Sequence, residues 1–211
     1  MDQRRCCVLP KISVLMPVYN DERYLPEALE SVLNQKDVEL ELIIVDDCST
    51  DRTSRIIEQF KTSQIKYIRH NENKGQLDAL LTGSSEITGD FVALFHGDDK
   101  ILDDHAFVDY ARWLSENRAD GLYSDLVIID KKSEVKKLSK AAKTLGKNRL
   151  IELLYRAGSN LIPDPFFVRK EFFFRSVLEN YIKWNMAYWF NEEHGELSLG
   201  KVVYVNRPWY V

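Results

Sequence analysis

The run FVALFHGDDK (91–100) ends an apolar stretch in two adjacent carboxylates, Asp98 and Asp99, with His96 and Gly97 just before them. Neighbouring carboxylates repel each other. A hard divalent cation, Mg²⁺ or Mn²⁺, shared with the oxygens of a phosphate-bearing ligand relieves that repulsion. Such a cation would also neutralise a diphosphate leaving group as its bond breaks. The plainer alternative is a helix N-cap, with either aspartate accepting from backbone N–H groups. A second acidic pair, Asp46 and Asp47, follows LIIV, and a carboxylate there could accept the N–H of uracil or a similar base edge. Asp51, just ahead of TSRIIEQF, is better placed than Asp47 to cap that helix. Tyr19 and Asn20, beyond Pro17, could stack on a ring and hydrogen-bond to it, or simply form a turn.

These residues need elements to hold them, and the apolar pattern supplies a set. KISVLMPVYN reads as a buried strand ended by Pro17. DERYLPEALESVLNQ follows as a helix, with Leu25, Leu29, Val32 and Leu33 at helical spacing and Asp21 placed to cap it. ELELIIVDD, IKYIRH, DFVALFHGDD and GLYSDLVIID read as further strands. TSRIIEQFK, the segment after Gly75 and DDHAFVDYARWLSEN read as the helices between them. Strands apolar on both faces that alternate with helices predict an α/β fold, a mainly parallel sheet covered on both sides. Ligands of such sheets sit beyond the carboxyl ends of the strands, where strand order reverses. Tyr19-Asn20, Asp46-Asp47 and Asp98-Asp99 all fall at such ends.

Composition narrows the classes. The chain has 211 residues, 45 % of them hydrophobic, with a net charge of −4, which suits a sizeable core and gives no support to nucleic-acid binding. No stretch reaches the ~18 apolar residues of a membrane span. The three cysteines, Cys6, Cys7 and Cys48, form neither a metal-ligand spacing nor a disulfide framework, as expected of a cytoplasmic chain.

ISVLMPVYN, the helix ending in SVLNQ, LIIVDDCSTDRT, the NENKG turn and GDFVALFHGDD, in this order and spacing, resemble the family 2 glycosyltransferases. The resemblance covers residues 11 to about 130. It implies a GT-A type, Rossmann-like fold and an inverting, metal-dependent transfer from a nucleotide sugar, most commonly UDP-linked. Pro17, Val18 and Tyr19 would wall the base pocket, with Asn20 and Gly75 also at the nucleotide, and Asp47 would hold the base while Asp46 plays a structural part. Asp98 would lie near the ribose and sugar, and Asp99 would ligate Mn²⁺ or Mg²⁺ at the diphosphate. The acceptor would be a glycan or a lipid-linked molecule in surface polysaccharide synthesis.

Three departures bear on this. His96 stands where the family usually opens its metal motif with an aspartate; a neutral imidazole could ligate the metal but brings no negative charge. Trp184 and Asn185 stand where many members carry a Glu-Asp pair that supplies the general base, and an amide takes no proton at neutral pH. Asp164, held between Pro163 and Pro165, and Glu192 and Glu193 are the substitute catalytic carboxylates. GQLDALLTG, in place of the usual Ala-Arg-Asn segment, looks like the variant of polyprenyl-phosphate sugar transferases, whose ionised acceptor needs no strong base. A non-catalytic nucleotide-sugar-binding module is the alternative outside the enzymes.

The expected organisation is a tail at 1–10, a nucleotide-sugar-binding part at 11–130, a basic linker or mobile loop at 131–149, and an aromatic-rich acceptor-side lobe at 150–211. In that lobe an amphipathic helix pair would be joined through Pro163-Asp164-Pro165. Trp184, Tyr188 and Trp189 could form a sugar platform or simply core, and GKVVYV would close with a strand. The chain stops at RPWYV where relatives usually continue, so an acceptor-binding or membrane-associating part is expected outside it. These motifs do not encode the sugar or the oligomeric state.

Overall fold

The computed structural model describes residues 9–60, 62–124, 126–129, 135–139, 167–179, 182, 190–193, 196–199 and 202–205. The first half alternates as the pattern requires: β1 (Lys11–Val18), α1 (Leu25–Leu33), β2 (Glu39–Asp46), α2 (Thr53–Gln59), β3 (Ile65–Arg69), α3 (Gln76–Ser84), β4 (Phe91–Leu94) and α4 (Ala106–Asn117). Strands β5 (Gly121–Ser124), β6 (Leu126–Ile129), β7 (Val135–Ser139), β8 (Phe167–Arg169), β9 (Phe190–Glu193), β10 (Glu196–Leu199) and β11 (Val202–Val205) follow. After β8 a helical turn, Lys170–Phe172, runs straight into a π-helical segment, Phe173–Leu178.

Seven strands form the main sheet, in the order β11-β5-β8-β4-β1-β2-β3. β1, β2, β3 and β4 run parallel, as do β5 and β11, while β8 is antiparallel to both its neighbours. The chain moves outward from β1 to β2 and β3, and α3 then carries it back to lay β4 on the other side of β1. Strand order therefore reverses at β1.

The continuous apolar runs reflect burial on both faces. In β1, Ile12, Val14, Met16 and Val18 pack with Leu25, Leu29 and Val32 of α1 and with Phe107, Tyr110 and Leu114 of α4. Leu15, between them, faces the other way with Ile43, Val45, Ala79 and Leu80. Each such side chain contributes about 1.5–3 kcal/mol on full burial. α3 lies close on this second face, and a Cβ at Gly83 would press into Leu15 and Val45.

Several expectations are corrected. β1 runs through Pro17 to Val18, with Pro17 opposite Val45. Its missing N–H points to the β4 side, where the ladder ends at Leu15–Leu94. Asp21 does not cap α1 with its carboxylate: its backbone carbonyl accepts from Tyr24 and Leu25 (3.1 Å each), and its Oδ2 turns back to the Tyr19 N–H (3.2 Å). GLYSDLVIID is two strands, because β5 joins the main sheet whereas β6 pairs with β7 in a separate ribbon. That pairing makes VKKLS, expected within a linker or loop, a strand. FVR, in the span expected to be a helix pair, is instead β8, held between β4 and β5. FNEE is likewise not helical but one arm of the β9–β10 hairpin, with Glu193 opposite Glu196 and Glu192 opposite Leu197. The expected closing strand is β11. Asp164, Trp184, Asn185, Tyr188 and Trp189 lie outside the described residues.

Candidate active site

Because β1 to β4 are parallel, Val18, Asp46, Arg69 and Leu94 end at one edge, and the loops after them meet there. A cavity of about 440 Å³ opens at this edge, lined by Pro17 and Val18 at the end of β1, Tyr19 and Asp21 after it, Asp47 after β2, Asn73, Gly75, Gln76 and Ala79 around the start of α3, and His96 and Asp98 after β4. It sits at the reversal of strand order, where an open α/β sheet takes its ligands.

The two aspartates after β2 divide their tasks. Asp46 is fully buried: its Oδ1 accepts the Ser49 N–H (2.8 Å), and its Oδ2 accepts the Ser54 and Tyr67 hydroxyls (2.7 and 2.9 Å) with the Arg69 guanidinium at 3.3 Å. Burial pushes its pKa up, but these donors outweigh it and the carboxyl sits below its ordinary range. Asp47 lines the cavity. Its Oδ1 accepts from His70 Nδ1 (2.7 Å) and the Lys74 N–H (2.9 Å), and its Oδ2 from the Gly75 N–H (2.7 Å). Burial is again outweighed, so Asp47 is held ionised. It anchors the NENKG turn. Gly75 adopts φ +88°, a conformation that glycine takes without strain.

Asn20 does not line the cavity. At φ +57° its N–H donates to Ser49 Oγ (3.0 Å), and its Oδ1 accepts from the Thr50 N–H (2.8 Å), binding the loop after β1 to the loop after β2. Tyr19, 46 % exposed, presents an open ring at the cavity rim. Asp51, one residue before the N-cap Arg52, accepts the N–H of Thr53, the first residue of α2, at 2.9 Å.

After β4, Asp98 faces the cavity and is exposed, while Asp99 turns back. Its Oδ2 accepts the His96 N–H (3.0 Å), and its own N–H donates to the His96 carbonyl (3.2 Å). His96 Nε2 lies 3.4 Å from the Gln76 amide nitrogen. Its Nδ1 is buried with no hydrogen-bond partner among the described residues. Asp21, a lining residue that sequence reasoning assigned to helix capping, has its pKa raised by burial and further by the Asp98 and Asp51 charges. Repulsion between Asp21 and Asp98 is the condition a divalent cation would relieve, and their oxygens suit Mg²⁺ or Mn²⁺. Among the described residues no three His, Cys, Asp or Glu side chains converge into a complete cation cage. Sequence reasoning also missed His70 and Gln76. The signal for His70 was its position directly after a parallel strand, at the same edge as Asp47.

Residues 13–181 match the family model described as Glycosyl transferase family 2. The chain belongs to that family. Among relatives, EpsE of Bacillus subtilis is 44 % identical over 93 residues, 43 % of this chain and 34 % of that protein. The Staphylococcus aureus poly(ribitol-phosphate) beta-N-acetylglucosaminyltransferase TarS is 34 % identical over 120 residues, 53 % of this chain and 20 % of its own. The chain thus spans about a third or less of these relatives' length. The structure of S. aureus TarS 1-349 in complex with UDP superposes with a TM-score of 0.65 at 23 % identity, covering 95 % of this chain and 59 % of that one. The mannosyltransferase PcManGT from Pyrobaculum calidifontis, in complex with GDP-Man and Mn²⁺, gives a TM-score of 0.50 at 22 % identity, over 59 % of this chain and 37 % of its own. These likenesses show a shared glycosyltransferase fold, α/β with a mostly parallel sheet flanked by helices. No helix among the described residues is long and apolar enough to cross a membrane.

Proposed function

We propose that this chain is the donor-binding part of an inverting, metal-dependent glycosyltransferase. It moves a sugar from a nucleoside-diphosphate sugar, UDP-linked, to a glycan or lipid-linked acceptor in surface polysaccharide synthesis. The observation that carries this reading is the cavity at the switch point of the sheet, lined by an ionised Asp47 and the exposed Asp98. The family match, and the UDP and Mn²⁺ that accompany the structures of relatives, support it.

In this reading Tyr19 stacks on the base against Pro17 and Val18, and Asp47 accepts a base N–H. Being ionised, Asp47 is an acceptor only, so it favours a base edge that offers a donor, as uracil N3–H does. Asp98, with Asp21 near it, would hold a divalent metal, which would supply positive charge against the diphosphate leaving group. Asp99 would hold the metal-facing turn in shape. The acceptor oxygen attacks the anomeric carbon from the side opposite the diphosphate. The new C–O bond forms as the old one breaks, the bonding pair leaves on the diphosphate oxygen, and the acceptor proton passes to a carboxylate. Asp164, Glu192 and Glu193 are the proposed sources of that carboxylate.

The test is release of UDP from UDP-sugars and of GDP from GDP-sugars, with Mn²⁺ and glycan and lipid-phosphate acceptors. Turnover that falls about a hundredfold in Asp98→Ala supports the reading. Nucleotide binding without turnover across the panel would make the chain a binding module. Neither binding nor turnover would overturn the assignment.

A further inference from the structure

Behind Asp47, facing away from the cavity, lies a chain of polar side chains that the transfer chemistry does not use. His70 directly follows β3, and its side chain is 7 % exposed against 5 % for Asp47. Its Nδ1 lies 2.7 Å from Asp47 Oδ1 and its Nε2 lies 3.0 Å from Thr82 Oγ1 on α3. Neither His70 nor Thr82 lines the cavity.

The tautomer follows from the partners. Asp47 is an ionised acceptor, so the ring proton sits on Nδ1 and is donated to it. Nε2, on the far side of the ring, meets the Thr82 hydroxyl at 3.0 Å. Thr82 therefore sets the ring orientation, and the ring sets the carboxylate. The two remaining donors on Asp47 belong to the turn after β3: the Lys74 N–H on Oδ1 and the Gly75 N–H on Oδ2. Without His70, Oδ1 would keep only the Lys74 N–H, and the carboxylate would be held by the backbone of the turn alone, with no side chain packed behind it.

We infer that His70 is a positioning residue for nucleotide recognition. With Thr82 behind it, it locks the Asp47 carboxylate in the orientation that offers Oδ2 to the base. This rests on the reading of Asp47 as the base acceptor. A pre-oriented acceptor raises affinity because the ligand need not order it on binding. The role is thus a contribution to donor affinity and base selectivity, without contact to the ligand.

The experiment is UDP titration calorimetry in Mn²⁺ on the intact chain, for wild type, Asp47→Ala, His70→Ala, His70→Asn, Thr82→Val and the Asp47→Ala/His70→Ala pair, with each melting temperature recorded. Asparagine places its amide nitrogen near the imidazole Nδ1 and keeps a donor for Oδ1. Expected are about a tenfold weaker Kd in His70→Ala, a smaller loss in Thr82→Val and recovery in His70→Asn. His70→Ala should add no further loss once Asp47 is alanine. The donor's KM should rise with kcat unchanged. A His70→Ala protein that melts lower yet binds UDP as wild type does, while Asp47→Ala binds weakly, overturns the positioning role alone. Undiminished binding by Asp47→Ala overturns the base-pocket reading, and this inference with it. If His70→Ala does not fold, the decision passes to His70→Asn and Thr82→Val. Retained binding in His70→Asn with weakening in Thr82→Val supports the role. Wild-type binding in Thr82→Val contradicts it.

Discussion

The Asp21 carboxylate occupies the place a side chain at position 97 would need: a Cβ on Gly97 would lie 2.5 Å from Asp21 Oδ2 and 2.8 Å from its Cβ. The loop after β1 and the loop after β4 touch at this point, and the contact sets the spacing between Tyr19 and Asp98 across the cavity. Gly97→Ala should force Asp21 aside, lowering stability by about 1–3 kcal/mol and weakening UDP binding. In an Asp21→Ala background the same substitution should cost much less. Urea unfolding of the two singles and the double measures that coupling.

Asp46 illustrates the cost of removing a hub. Asp46→Ala would leave the Ser49 N–H and the Ser54 and Tyr67 hydroxyls without their acceptor in a buried place. A loss of about 3 kcal/mol is expected in denaturant titration, above that of Asp51→Ala ahead of α2.

Acid should unfold the chain through the same carboxylates. Asp46, Asp47 and Asp51 titrate below the ordinary 3.8, and Glu41 below 4.5, its burial outweighed by Ser13, Thr88 and Gly89 donors. For these groups the unfolded chain binds more protons, so their stabilisation is complete above the ordinary values. It is lost as pH falls through them to the lower native ones. Asp21 has the opposite sign: its raised pKa makes its ionised form unfavourable, so its contribution weakens as pH rises through the native value. Asp21→Asn should therefore stabilise the protein near pH 7 and lose that gain in acid, as unfolding at the two pH values will show.

The metal-facing pair can be separated. Asp98 faces the cavity, whereas Asp99 accepts the His96 N–H. Asp98→Asn should abolish the Mn²⁺ enhancement of UDP binding. Asp99→Asn keeps an acceptor for that N–H and should retain the enhancement. The reverse result would place the metal on Asp99, as the family resemblance implies.

How much of this was legible follows from where the information lies. Asp46, Asp47 and Asp98 could be found because each ends a continuous apolar run, and parallel strands bring such ends to one edge. The tasks within each pair were not equally open. A buried acceptor and a cavity-facing one have the same spelling; the family resemblance implied the division between Asp46 and Asp47, and Ser54, Tyr67 and His70 give its physical cause. β8 was illegible for a different reason. Three residues, FVR, carry no period of their own, and the pairing that makes them a strand comes from β4 and β5, over forty residues earlier. β7 reads as solvated chain because VKKLS is rich in lysine, and its pairing partner β6 lies outside the segment. Asp21 has the residue type of a cap, yet α1 begins four residues later and its side chain is drawn to Tyr19 and Gly97 instead.

The most direct test of the central claim is calorimetric titration of the wild-type chain with UDP, with and without Mn²⁺. The account predicts saturable binding at one site, tightened by Mn²⁺ and weakened in Asp47→Ala. No heat of binding and no rise in melting temperature with UDP, GDP or their sugars in Mn²⁺ would contradict it.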